Sequence, residues 1–255
     1  MFVSVALCTF NGEKYLARQL DSILSQTCAV NEIIICDDLS TDNTISILKA
    51  YKKKYPGLFH LHFATKNIGA IHNFEKAISL CTGDIIFLSD QDDIWNENKV
   101  ETIMRLFTQN EEALEIFSDA NLIDENDTLL EGSLWEKWGF DENMQQAWLN
   151  NANAYEDLLK NNNKITGATV AFRKSLKEMF LPFAVPKGYW HDTWISLAAA
   201  KNNGLFFTRE KLMQYRIHPG QLIGIGNGIA LKKKRKKNFT RKRIAHSLKY
   251  MINNK

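Results

Sequence analysis

Two short stretches restrict this chain more than anything else in it. Ile33-Ile34-Ile35-Cys36 and Ile85-Ile86-Phe87-Leu88 are apolar throughout, with no polar residue at every second place. A strand with one wet face alternates, whereas a strand buried on both faces does not. Such strands need a sheet covered by helices on both sides, and helical patterns stand where the covering helices should be. The run 3–8 is followed by Leu16, Leu20, Ile23 and Leu24 at helical spacing. The run 33–36 leads to a helix capped by Thr41 or Asp42, with Ile45, Leu48 and Tyr51 inward. Residues 58–64 form a third strand before a helix over 72–80, and 85–88 a fourth before a helix over 96–107. Alternating strands and helices predict an α/β fold with a Rossmann-like, mainly parallel sheet. Beyond residue 110 the pattern loosens. Strand pieces are expected at 114–118, 166–172, 205–207 and 212–216, and partial helix over 135–163.

Composition removes other classes. The chain has 255 residues, 45% hydrophobic and 24% charged, with 4 Pro and 13 Gly, which excludes a disordered, collagenous or disulfide-stapled chain. The longest apolar run, 194–200, is too short to span a bilayer. Residues 2–8 lack a basic flank and a cleavage site, so they read as a strand rather than a signal peptide. Cys8, Cys28, Cys36 and Cys81 show no metal-binding or redox spacing and are expected as free thiols in a reducing cytoplasm. The net charge of +3 hides an asymmetry. Residues 231–255 carry eleven Lys and Arg and no acid, leaving 21 basic against 29 acidic side chains elsewhere.

The acids fall in informative places. Strand one ends in Thr9 and Asn11, strand two in Asp37-Asp38, strand four in Asp90, Asp92 and Asp93. In a parallel sheet these ends share one edge, and ligands bind outside that edge. Carboxylates gathered there repel one another unless a cation joins them. The spacing Asp90-x-Asp92 suits a hard divalent ion such as Mn²⁺ or Mg²⁺, held by one or two carboxylates and a phosphate-bearing ligand. The alternative is an acidic turn in which Asp93 caps the next helix. Gly224-Ile225-Gly226-Asn227-Gly228 is neither a P-loop nor a dinucleotide fingerprint and reads as a flexible loop.

In order and spacing the motifs from residue 3 to about 224 resemble the family 2 glycosyltransferases, whose fold is GT-A. They are Cys8-Thr9-Phe10-Asn11-Gly12, Asp37-Asp38-Leu39-Ser40, Asn67-Ile68-Gly69, Asp90-Gln91-Asp92-Asp93-Ile94-Trp95, Thr166-Gly167-Ala168-Thr169, His191-Asp192 and Tyr215-Arg216-Ile217-His218. The acidic element and the Tyr-Arg-x-His element are similar to those of a bacterial rhamnosyltransferase-like subgroup. The resemblance implies a nucleotide-diphosphate sugar as donor, dTDP-rhamnose or a UDP-hexose, and a glycan or lipid-linked acceptor in surface polysaccharide synthesis. It implies that Thr9, Asn11, Asp38 and Asn67 bind the nucleoside, that Asp90 and Asp92 meet the ribose and a metal-bound diphosphate, that His218 also reaches the metal, and that Asp192 is the catalytic base. Asp93, Trp95, Trp190, His191 and Trp194 are candidate sugar or acceptor contacts. Leu39 stands where the family commonly has Gly, Ala or Cys. The processive QxxRW element is absent, which points to transfer of one sugar.

Residue pattern alone keeps rivals open. Asp192 precedes an apolar segment and could cap a helix there. His218 could be held by backbone, and the tryptophans could all be packing. A single base with direct displacement inverts the anomeric centre. A sugar-phosphate nucleotidyltransferase would carry a Gly-rich basic loop after strand one, where Asn11-Gly12-Glu13 stands. A non-catalytic polyanion binder gains nothing from an acidic crevice. The chain therefore divides into 1–224, with a nucleotide-sugar half to 110 and an acceptor half from 111, and a basic amphipathic tail, 225–255. In the tail, Ile244, Leu248, Met251 and Ile252 fall at helical spacing among Lys and Arg. That pattern fits an interfacial helix on an anionic leaflet, with a solvated tail and a nucleic-acid-binding arm as rivals, and the lipid-linked acceptor that the resemblance implies favours the inner face of a cell membrane.

Overall fold

In the computed structural model, residues 1–221 are described, and β1 (Val3–Thr9), β2 (Glu32–Asp37) and β4 (Ile85–Ser89) are buried along their whole length. Successive side chains of a strand point to opposite faces, and the two faces enter different cores. Ala6, Cys8, Ile34, Cys36, Ile86 and Leu88 pack with Phe74 and Ala77 of α3 (Ala70–Leu80) and with α9 (His191–Lys201). Val5, Leu7, Ile33, Ile35, Ile85 and Phe87 pack with α1 (Leu16–Leu24), with Leu48 of α2 (Thr44–Lys54) and with α4 (Lys99–Gln109).

The sheet runs β3 (Phe59–Phe63), β2, β1, β4, β8 (Val170–Arg173), β6 (Glu115–Ile123), β9 (Leu205–Arg216), β5 (Ile94–Trp95), with β7 (Leu129–Ser133) paired to β6. The first four strands are mutually parallel, β8 is antiparallel to both neighbours, and β9 returns parallel to β6. The mainly parallel α/β sheet is thus present. Two expected strand pieces, 205–207 and 212–216, are one twelve-residue strand, β9, whose register with β6 shifts between Ser118 and Asp119. That irregularity holds extra residues of β9 opposite β6 and hides the strand's continuity in the sequence. The segment 135–163 resolves into α5 (Leu134–Trp138), α6 (Glu142–Trp148) and α7 (Asn151–Leu159), and α8 (Lys174–Phe180) follows β8. The fourth helix begins at Lys99, behind Asn98, rather than at 96, because β5 takes Ile94 and Trp95 into pairing with β9. The four cysteines are free. Among the described residues no helix is long and apolar enough to cross a membrane. The Gly-rich stretch 224–228 and the basic tail lie outside the described residues.

Candidate functional site

The register sets Thr9 beside Asp37 and Leu7 beside Ser89, so the ends of β1, β2 and β4 open on one edge. There Asp37 acts as a brace. Its carboxylate accepts from Thr9 Oγ1 at 2.7 Å and from Ser40 N at 2.9 Å, tying two strand ends to the turn after β2. Asn11 (φ 49°) extends this seam, donating its amide to Ser40 Oγ and accepting from Thr41 N through Oδ1, both at 2.8 Å. Asp38 is buried and accepts from Ile68 N at 2.7 Å and Gly69 N at 2.8 Å, while Asn67 Nδ2 donates to the Asp38 carbonyl at 3.2 Å. An ionised carboxylate has about four acceptor positions, so two remain on Asp38 for a ligand. Leu39, 44% exposed, holds φ 70° on this rim. The left-handed region costs a bulky residue about 1–2 kcal/mol, which explains why Gly is the common choice there.

The loop after β4 carries the acids. Gln91, which sequence reasoning passed over, pins it to the β1 turn by accepting from Phe10 N at 2.9 Å and donating to Phe10 O at 3.0 Å. Asp92 Oδ2 lies 2.9 Å from His218 Nε2, so the structure brings these two together. Asp90 is pushed up to about 7 by burial and by the charges of Asp92 and Asp192. Asp93 is driven well above the carboxylate range by burial, then by Asp92 and Asp90, although it accepts from Arg216 N at 3.0 Å; its Oδ2 has no partner among the described residues. Asp93 does not cap α4, whose N-cap is Asn98, and its burial makes it a support rather than a sugar contact. Beneath the acids sits Lys99, fully buried. Its Nζ donates to Ala168 O at 2.7 Å and lies 4.2 Å from the centre of a Trp95 ring, and burial pushes it down to about 7 against the pull of Asp93 and Asp90. Among the described residues no three His, Cys, Asp or Glu side chains form a closed metal cage. The donors do fit a hard divalent ion: an imidazole nitrogen and a carboxylate oxygen converge beside the crowded carboxyls of Asp90 and Asp93, and such ions take remaining oxygens from phosphate and water.

Opposite lies the start of α9. Trp190 occupies its N-cap with extended backbone, so Asp192 stands in the first turn and is not the cap. Gly167 permits the close approach of the 166–169 turn: a Cβ there would come within 3.0 Å of His191 Nε2 and 3.8 Å of Asp192 Cβ. Asp192 Oδ1 accepts from Thr193 N and, at 3.3 Å, from Asn163 Nδ2. Burial outweighs these bonds and raises its carboxyl to about 6. His191 stacks on Phe74 at 4.1 Å, its two ring nitrogens lack hydrogen-bond partners among the described residues, and burial holds it neutral, down at about 3. The tryptophans divide. Trp190 is half-buried and remains on the rim. Trp194 is in the core, its indole donating to Phe180 O at 3.0 Å, and Trp95 is buried against Phe87 and Lys99. These two cannot form a sugar-stacking wall, because no face of either ring is open.

Residues 4–180 match the family profile described as Glycosyl transferase family 2. The chain is 36% identical over 124 residues to the dTDP-rhamnosyl transferase RfbG of Shigella flexneri, covering 47% of this chain and 40% of that protein. Its fold is similar to Staphylococcus aureus TarS (residues 1–349) in complex with UDP-GlcNAc, with a TM-score of 0.63 and 17% identity over 87% of this chain and 60% of that one. It is also similar to the mannosyltransferase PcManGT of Pyrobaculum calidifontis in complex with GDP-Man and Mn²⁺, with a TM-score of 0.60 and 16% identity over 86% and 57%. The chain spans less than two thirds of the curated relatives it matches, 65% and 40% for two of them.

Proposed function

The chain belongs to glycosyl transferase family 2, its sheet has the GT-A architecture of the solved neighbours, and we propose that it transfers one sugar from a nucleotide-diphosphate donor to an acceptor hydroxyl with inversion. One observation carries this reading. Asp192, in the first turn of α9 against the Gly167 turn and raised to about 6 by burial, lies near enough to Asp90 for its charge to raise that carboxyl, and Asp92 of the same loop meets His218. At neutral pH Asp192 is mostly ionised yet retains more basicity than an ordinary carboxylate, which suits a general base. The acceptor oxygen attacks the anomeric carbon as its proton passes to Asp192. The carbon–oxygen bond to the diphosphate breaks, and the diphosphate leaves with the electron pair. Attack from the side opposite the leaving group inverts the centre. A Mn²⁺ or Mg²⁺ ion held by Asp92 and His218, with Asp90 beside them, would neutralise charge on the leaving diphosphate. Alignment of the two reactants falls to the braced rim, Thr9, Asn11, Asp38 and Asn67 on the nucleoside side and Trp190 on the acceptor side, with the buried His191 packed behind as a support rather than a contact.

The name of RfbG favours a dTDP-sugar and the TarS complex a UDP-sugar; PcManGT adds GDP-mannose as a third arm of the test. A thermal-shift series with UDP, dTDP and GDP, each with and without Mn²⁺, decides. At a hundredfold excess over Kd, ligand linkage is about 2.7 kcal/mol, or roughly 5–10 °C for a domain of this size. The expected result is a shift that needs nucleotide and Mn²⁺ together. No shift with any of the three under saturating Mn²⁺ would sink the donor assignment.

The acceptor is proposed as a glycan or lipid-linked intermediate of bacterial surface polysaccharide synthesis, met by a cytoplasmic protein at the inner membrane face. Residues 231–255, with eleven Lys and Arg, support that location, since each basic residue near an anionic leaflet contributes about 1 kcal/mol. Division into a transferase unit, 1–224, and this tail belongs to the same proposal. Deleting 231–255 should abolish co-sedimentation with phosphatidylserine vesicles, and salt should release the full chain. Undiminished sedimentation of the truncated protein would put the membrane contact elsewhere.

A further inference from the structure

Arg216 has no part in the chemistry above, yet it reaches more separate segments than the residues that do. It ends β9, two places before His218, and is 1% exposed. Its Nε donates to the Asp92 carbonyl at 2.6 Å, one terminal nitrogen donates to the Asp124 carbonyl at 2.8 Å, and the other meets Asp127 Oδ1 at 2.5 Å. The guanidinium lies 4.5 Å from the centre of the Tyr15 ring, and that ring is 5.0 Å from the imidazole of His218. Its own amide donates to Asp93 Oδ1 at 3.0 Å, and its carbonyl accepts from Gln221 Nε2. One residue therefore holds two consecutive members of the acidic loop: the main chain grips the carboxylate of Asp93, and the side chain grips the carbonyl of Asp92.

We infer that Arg216 is a positioning residue for the Asp92–His218 pair, a clamp that fixes the acidic loop against the end of β9 so that the two side chains meet at metal-binding distance. The inference rests on the metal reading of that pair given above. Apart from the clamp, this stretch of the loop is held by Gln91 on Phe10 and by the Asp92–His218 contact itself. Pairing of β5 with β9 stops at Ile94, one residue after Asp93, and Asp92 contributes no ladder bond of its own. The far side is anchored as firmly. Asp127 holds φ 67° in the turn between β6 and β7 and is gripped by Arg18 at 3.0 Å as well as by Arg216. That turn is stitched by Asp124 Oδ1, which accepts from Asn126 N and Thr128 N at 2.8 and 2.9 Å. A lysine carries the same charge but no planar fork, and cannot reach the Asp92 and Asp124 carbonyls and the Asp127 carboxylate together. Groups that orient metal ligands without touching the metal commonly change metal affinity by about 10–100-fold when replaced.

The test uses the full chain and two readouts. Mn²⁺ binding in the presence of UDP is followed by the loss of the free-ion paramagnetic resonance signal, and amide hydrogen exchange is measured on the metal-free protein. Arg216→Lys should weaken Mn²⁺ about 10–100-fold. It should also speed exchange around residues 92–95 and 214–218 while protection in β1 and β2 holds. Asp127→Asn, which keeps an acceptor but removes the charge, should loosen the same two segments by a smaller factor. Unchanged Mn²⁺ affinity with unchanged local exchange in Arg216→Lys overturns the clamp. So does an equal loss of protection everywhere, which would make Arg216 a general core cation. If Arg216→Lys fails to fold, Asp127→Asn carries the comparison, and no local loosening there overturns the clamp. If the wild type binds no Mn²⁺, the metal reading fails, and the exchange data alone decide whether Arg216 holds the loop.

Discussion

Asp192→Asn is expected to lower turnover by about 10²–10⁴-fold, the range of general base catalysis, with donor affinity within a few-fold of wild type. Asn retains an oxygen for Thr193 N and Asn163 Nδ2 but cannot take the acceptor's proton. The pH dependence carries the same assignment. Burial lifts the Asp192 carboxyl to about 6, and the base must be ionised. Wild-type turnover should therefore fall as pH drops through about 6 and level off above it, and the variant should lose that limb. The stability consequence has the opposite sign to the catalytic one. A folded-state pKa above the unfolded value of about 3.9 means that the fold disfavours the charged form. The penalty is absent below pH 4 and is present in full above 6. Removing the charge should leave the variant equally stable or stabler at neutral pH, by up to about 1–3 kcal/mol. Had Asp192 been a helix cap, replacement by Asn would have left turnover nearly normal. Near-normal turnover would still remove it as the base, whatever the melting temperature shows.

The half of the fold that carries the nucleotide edge was legible because its signals are local. Strands buried on both faces read as unbroken apolar runs, and the helices between them show their stripes within a dozen residues. What was missed depends on partners far along the chain. β5 has two residues, and nothing in Ile94-Trp95 announces pairing with Gln214 and Met213. β7 starts with three exposed residues, so its pattern carries no burial signal. The positions of the acids were legible, but their roles were not. Asp37, Asp38 and Asp93 read alike with Asp90 and Asp92 as carboxylates at strand ends. In the fold Asp37 is a brace, Asp38 is half-committed to two amides and Asp93 is sealed against Arg216. The tryptophans failed in the other direction: Trp95 and Trp194 flank the motifs but turn inward. Arg216 was visible only as a letter of a motif, because its contacts lie 89 to 201 residues away apart from its own neighbourhood.

Asp92→Asn should be the complement of Asp192→Asn, failing in the other half of the reaction. Asp92 is partly open, with 17% of its side chain exposed and Oδ2 on His218. Asn keeps the shape and one oxygen but withdraws the charge that a divalent ion requires. Charge neutralisation by such an ion amounts to several kcal/mol, so transfer should fall by about 10³-fold. The Mn²⁺-dependent part of the nucleotide thermal shift should vanish, whereas Asp192→Asn should preserve it. The remaining carboxylates report the same change from inside. Asp92 is the leading charge that raises both Asp90 and Asp93. Its removal should lower Asp90 from about 7 only in part, because burial is the larger cause, and the change is visible in the carboxyl carbon resonances of metal-free protein. The larger causes that set the Asp192 carboxyl are burial and hydrogen bonds from Thr193 and Gly167. Residual activity in Asp92→Asn should therefore keep its fall near pH 6, the limb that Asp192→Asn loses. Wild-type turnover together with an intact Mn²⁺-dependent shift in Asp92→Asn would show that the ion, if one acts here, is held by other residues.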